Sequence, residues 1–213
     1  MNEKGSARKT EMALVCAAAD GNLDRVEELL LGGASLNARD KEGNSPLLAA
    51  AQAGHSKVCQ VLLEKGQYSA KVSARNKRGF TPLLSAAHNG HTRVCELLID
   101  KGRADIEERT PLGHTALKLA AINGHTNTLI LLLSKGAKVD KRDKDGLTPL
   151  LAAAHQGHNE VCVLLLDKGK ADLEESDQLG NTALNLAALN GHPSTVSLLL
   201  SKGAMVDTKG GGS

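Results

Sequence analysis

The chain of 213 residues has no Trp, one Tyr and one Phe. A thick core built around large rings is excluded, and Ala and Leu must fill the interior, which favours thin layers of small helices. Neither sign of charge is in excess: the formal net charge is +2, too small to imply a nucleic-acid or membrane partner. Long apolar runs are also missing. Stretches such as Leu129 to Leu133 fall far short of the ~20 residues that cross a bilayer, so membrane insertion is not expected. The opening "MNEKGSARKTE" is polar and charged, unlike a secretory leader, and an intracellular, cytoplasmic location is expected. Cysteine is sparse. Cys59, Cys95 and Cys162 stand at one register in "VCQVLL", "VCELL" and "VCVLLL". A disulfide framework would not place one cysteine per copy, each offset beyond the ~7 Å that a disulfide spans. They read as small buried hydrophobes in a reducing compartment.

What the chain does have is repetition. "SPLLAAAQAGH" begins at Ser45, "TPLLSAAHNGH" at Thr81 and "TPLLAAAHQGH" at Thr148, with "TALKLAAINGH" at Thr115 and "TALNLAALNGH" at Thr182. The steps are 36, 34, 33 and 34 residues, and a degenerate copy, "MALVCAAADGN", begins at Met12. Self-similarity at this period signals a solenoid. Within one copy, Thr148 is a good N-cap, Pro149 occupies the first helical position, and Gly157 ends a short helix. "NEVCVLLLDK" supplies a second helix, and a polar, turn-rich finger leads to the next Thr. Two such short helices cannot bury their faces alone, whereas stacked copies can. Alanine pairs such as Ala50–Ala51 and Ala153–Ala154 permit close helix approach.

The T/S-P/A-L opening, the A-A-x-x-G-H between helices and the L-L-x-x-G-A/x before the finger closely resemble the ankyrin-repeat family, over roughly residues 11–208. The resemblance implies an all-α solenoid of stacked helix-turn-helix units with projecting β-turn or hairpin fingers. Repeats are expected at about 11–43, 44–79, 80–113, 114–146, 147–180 and 181–208. Residues 1–10 read as a flexible lead, and 209–213 as a Gly/Ser linker or tag remnant. The family's usual histidine after "TPL" is absent. Leu48, Leu84, Lys118, Leu151 and Asn185 take its place, so a polar contact that normally orders each repeat is lost or replaced. A shift of 67 residues brings 81–140 onto 148–207 with about two thirds of positions identical, so pairs of repeats were the copied unit.

Eight histidines raise the question of a metal, but five of them (His55, His91, His125, His158 and His192) follow a helix-ending glycine in every full copy. His88 and His155 lie two repeats apart, roughly 16–20 Å from helix spacing, while zinc holds its ligands at about 2 Å. No metal or other cofactor is expected. No nucleophile stands beside a base at a telling spacing, and no catalytic residue is assigned. The basic "AKVSARNKRG" lacks the interleaved aromatics of a single-strand reader, and Glu107, Glu108, Glu174 and Glu175 interrupt any phosphate track.

The family resemblance implies a non-catalytic module, expected to be monomeric, that binds a protein or peptide through a concave groove and finger row. Two other readings stay open: a scaffold repeat protein without a native partner, and the recognition arm of a larger enzyme or bacterial effector. The finger from Gly66 to Gly79 spans thirteen residues, against eleven for Gly169 to Gly180 and ten for Gly136 to Gly146. The chain's two aromatics flank it, so Tyr68, Arg75, Lys77, Arg78 and Phe80 form the expected hot spot. His114 and Leu147 match Phe80 in later copies. His88, Asn89, Ile122, Asn123, His155, Gln156, Leu189 and Asn190 match the family's variable positions before Gly-His and form a second contact row.

Overall fold

The computed structural model describes residues 3–65 and 72–206. The protein is all-α, and its helices form two compact units, residues 1–106 and 107–213. The first contains α1 (Glu3–Ala19), α2 (Leu23–Leu31), α3 (Pro46–Ala53), α4 (Ser56–Lys65), α5 (Pro82–His88) and α6 (Thr92–Asp100). The second contains α7 (Ala116–Ile122), α8 (Thr126–Ser134), α9 (Pro149–Gln156), α10 (Asn159–Asp167), α11 (Ala183–Leu189) and α12 (Pro193–Ser201). Among the described residues no strand forms, only an isolated antiparallel bridge between Ser176 and Thr182.

Each unit is a stack of helix pairs. The first helices pack in series, α1 on α3 on α5 and α7 on α9 on α11, and the second helices follow them less closely. The opening Ser or Thr does what its chemistry dictates. Ser45, Thr81, Thr115, Thr148 and Thr182 cap α3, α5, α7, α9 and α11, each hydroxyl accepting from the backbone N–H three residues on. Such a cap contributes about 1 kcal/mol. Ala50, Ala51, Ala86, Ala87, Ala120, Ala121, Ala153 and Ala154 are completely buried, and their methyl groups keep the helices close. Leu48, Leu84 and Leu151, at the position of the missing histidine, are also fully buried. There the lost polar contact is replaced by apolar packing, worth about 1.5–3 kcal/mol per side chain.

The Gly-His step joins one repeat to the one before it. His91 donates from Nε2 to the Gln52 carbonyl at 3.1 Å, and His192 donates to the His155 carbonyl at 2.9 Å. A carbonyl can only accept, so Nε2 carries the proton. The ring lies where a side chain on the preceding helix's terminal glycine would go. A Cβ on Gly54 would come within 2.6 Å of His91 Nδ1, and one on Gly157 within 2.6 Å of His192 Nδ1. Both glycines also have positive φ, 82° and 76°, so conformation and space exclude other residues together.

The ends differ from the middle. Met12 holds the place of the capping Ser/Thr, so no hydroxyl caps the helix there, and α1 begins earlier, at Glu3. Regular structure therefore reaches into the segment that polarity reads as a flexible lead. Cys16 is exposed, although its counterparts Ala49 and Ala152 are buried. At the other end Ala188 is exposed where Ala121 and Ala154 are buried, and Leu200 is 43% exposed.

Candidate functional site

Adjacent fingers are stitched together by backbone geometry. In the first unit Lys77 N–H donates to the Glu42 carbonyl at 2.9 Å, and Arg39 reaches the Gly43 and Arg75 carbonyls. Asn76 builds the turn: its Oδ1 accepts from the backbone N–H groups of Arg78 and Phe80, each at 3.0 Å, and its Nδ2 donates to Asn44 Oδ1 at 2.9 Å. The turn holds Phe80 half-buried at the finger base, against the end of α5. The Phe80 ring meets His88 edge to face, with centroids 5.8 Å apart at 76°. The guanidinium of Arg78 lies over the ring at 5.3 Å from its centroid, a contact worth about 0.5–1 kcal/mol at an exposed site. Arg78 and Phe80, from the expected hot spot, and His88, from the second contact row, thus form one group. Lys77 is exposed beside them, while Arg75 donates to the Gly79 carbonyl at 2.7 Å. Tyr68 lies outside the described residues.

The second unit shows a group that the sequence reading missed. Lys118 is 1% exposed, and its ammonium pairs with Asp143 and donates to the Leu147 carbonyl at 2.7 Å. Asp143 Oδ1 accepts from the N–H groups of Asp145 and Leu147, and His114 Nε2 lies 3.3 Å from Asp143 Oδ2. Burial depresses the Lys118 ammonium below the usual lysine range, against the opposing pull of Asp143. Burial would raise Asp143, but Lys118 and the Leu147 and Asp145 N–H groups outweigh it, so its carboxyl is held below the usual range. Burial and then the Lys118 charge hold His114 below the usual histidine range. His114, expected as a contact residue, thus lies beside this buried ion pair. A lysine inside the apolar line "TALKLAA" was the available signal, because a buried ammonium must find an acceptor.

The remaining contact-row residues divide by what their polar groups already do. The side-chain amides of Asn89, Asn123 and Asn190 donate to the Ser85, Leu119 and Leu186 carbonyls at 2.9, 2.8 and 2.8 Å. Each closes the end of its own helix. The Ile122 carbonyl accepts from His158 at 2.9 Å, and the His155 carbonyl accepts from His192. Gln156 is exposed, and Leu189 is 73% exposed. A cleft of about 290 Å³ lies elsewhere in the first unit, where Glu11 and Asp40 offset Arg39 and Lys41. Among the described residues no group of three or more His, Cys, Asp or Glu could hold a metal ion, and no helix is long and apolar enough to cross a membrane.

Capped helix pairs, stacked in register and joined by hydrogen-bonded fingers, define a helical tandem-repeat domain. The family model for ankyrin repeats (three copies) matches residues 1–73, 68–143 and 137–210. The chain belongs to the ankyrin-repeat family. Ankyrin repeats are generally protein–protein interaction modules and are typically non-catalytic. A comparison with curated proteins found no match.

Proposed function

We propose that this domain is a non-catalytic, intracellular binding module that takes a protein or peptide on its fingers and the adjoining ends of its first helices. The observation that supports this best is the Arg78–Phe80–His88 group. An aromatic ring, a guanidinium and an imidazole are collected at one edge of the first unit, the kind of chemistry on which binding energy concentrates. In the second unit Gln156 and Leu189 are exposed and supply a secondary contact row, with His155 beside Gln156 in sequence. Ile122, Asn123, Leu147 and Asn190 contribute chiefly shape, because their polar groups already serve the fold. No cofactor or nucleic acid enters this reading, and the domain acts as a monomer.

Site-specific photo-crosslinking in an extract of the source cells tests it. A crosslinking side chain at Asn89, beside His88, should trap one discrete protein, while one at exposed Lys57 on α4 should trap none. Equal trapping from both positions, or none from Asn89, would reject the proposal.

A further inference from the structure

The chemistry around Phe80 also specifies the ligand, on the reading that this edge binds a peptide at all. From Glu64 to Glu96 the chain has no carboxylate side chain, while Arg75, Lys77, Arg78 and Arg93 all fall between them. Lys77 and Arg78 are exposed on the finger. The Arg78 guanidinium is held beside the ring, 5.3 Å from its centroid, so a cation and a half-buried apolar surface face a ligand together. We infer that this edge recognises an acidic peptide segment carrying one apolar side chain: its carboxylates would pair with Lys77 and Arg78, and its apolar side chain would lie against Phe80.

The same geometry disfavours a nucleic acid. Base stacking needs open ring faces along a cationic track. Here Phe80 is the only Phe, Tyr or Trp among the described residues, with a guanidinium over it and His88 at its side, so successive bases have no row of rings to stack on. The neighbouring finger reads Arg39, Asp40, Lys41, Glu42, and its Glu42 carbonyl is bonded to Lys77 N–H. The alternating signs there interrupt the continuous cationic track that a phosphate backbone would follow, whereas a short acidic segment needs only Lys77 and Arg78.

The test is a titration of the isotope-labelled full chain, read by amide chemical shifts, with three probes. One is a ten-residue Glu/Asp peptide containing a single Leu, the second is the same peptide with Gln and Asn for the acids, and the third is a thymidine oligonucleotide of equal charge. The acidic peptide should shift amides within 75–91 and bind at least about tenfold more tightly than either other probe. Lys77→Gln/Arg78→Gln, at two exposed positions, should weaken it about tenfold or more, and Phe80→Leu should weaken it less than Phe80→Ala. Equal binding of the neutral peptide, tighter binding of the oligonucleotide, or shifts confined to other residues would overturn the inference. A discrete adduct from Asn89 together with any of these results would overturn the acidic specificity alone. Loss of that adduct would remove the binding surface itself.

Discussion

Replacing Asp143 by Asn removes one charge while keeping the oxygen that accepts the Asp145 and Leu147 N–H groups. The turn should survive, as it does around Asn76, the same position in the first unit. What changes is Lys118, 1% exposed, which keeps only the Leu147 carbonyl as an acceptor and faces an amide NH2 group. Breaking a buried pair by removing one partner costs about 3–5 kcal/mol, and that is the expected loss for Asp143→Asn. Lys118→Leu should cost less, about 1–3 kcal/mol, because Asp143 keeps two backbone donors and has His114 at 3.3 Å. The double variant Lys118→Leu/Asp143→Asn recreates Leu48 and Asn76, a neutral arrangement the chain already uses, so the two losses should not add. The assay is urea unfolding followed by far-ultraviolet circular dichroism, since the chain lacks Trp. A second check is pH. With its carboxylate gone, Lys118 should lie still further below the usual lysine range. Between its folded and unfolded titrations the unfolded state then binds more protons than the folded state, so stability rises with pH and the Asp143→Asn penalty shrinks on the alkaline side. Strict additivity of the two losses, or a penalty that does not change with alkaline pH, would refute the ion-pair account.

Three further expectations concern the stack. Burial pushes the thiols of Cys59, Cys95 and Cys162 up to about 12, whereas Cys16 is exposed. A thiol reagent applied to the native protein should therefore label Cys16 quickly and the other three slowly, and rapid labelling of all four would contradict their placement. Amide exchange should be faster across 182–206 than across 115–165, because Ala188 and Leu200 lie open in the last pair; equal protection would show that this pair needs no cover. Gly157→Ala meets both a positive φ and the His192 ring, while Gly191→Ala meets only the φ, with nothing within 4 Å. The first should cost clearly more than the ~1 kcal/mol expected of the second, and equal melting temperatures would count against the glycine–histidine contact.

Sequence periodicity revealed the helices because their signals are local: a hydroxyl at the cap, proline one residue later, glycine at the end. The cysteine register was legible for the same reason, since three copies place the thiol at one buried position. Contacts between repeats were harder to read. Lys118 and Asp143 are 25 residues apart, and nothing local marks them as partners. Asn89, Asn123 and Asn190 stood at positions the family varies for binding, yet each amide turns back onto its own helix. Conversely, Phe80 and His88 came from different arguments, and only the fold shows that they touch. Polarity gave no sign that α1 begins as early as Glu3, because polarity indicates exposure, not the absence of a helix.

The contact between the terminal glycine of one helix and the imidazole of the next repeat also bears on how such a chain can change length. The joint recurs at Gly21–His55, Gly54–His91, Gly124–His158 and Gly157–His192. Each full repeat brings both halves side by side in its Gly-His step, the imidazole for the repeat before it and the glycine for the repeat after it, and the halves are chemically alike throughout. Gain or loss of a whole repeat therefore leaves every remaining joint with a fitting partner, and the surface can grow or shrink without a new core being invented. One extra residue within a helix would rotate its glycine away from the ring it accommodates and spoil the joints on both sides. Selection on such a chain is thus permissive toward duplication and severe toward small insertions within helices, and the 67-residue echo between its later repeats is the trace expected of that asymmetry.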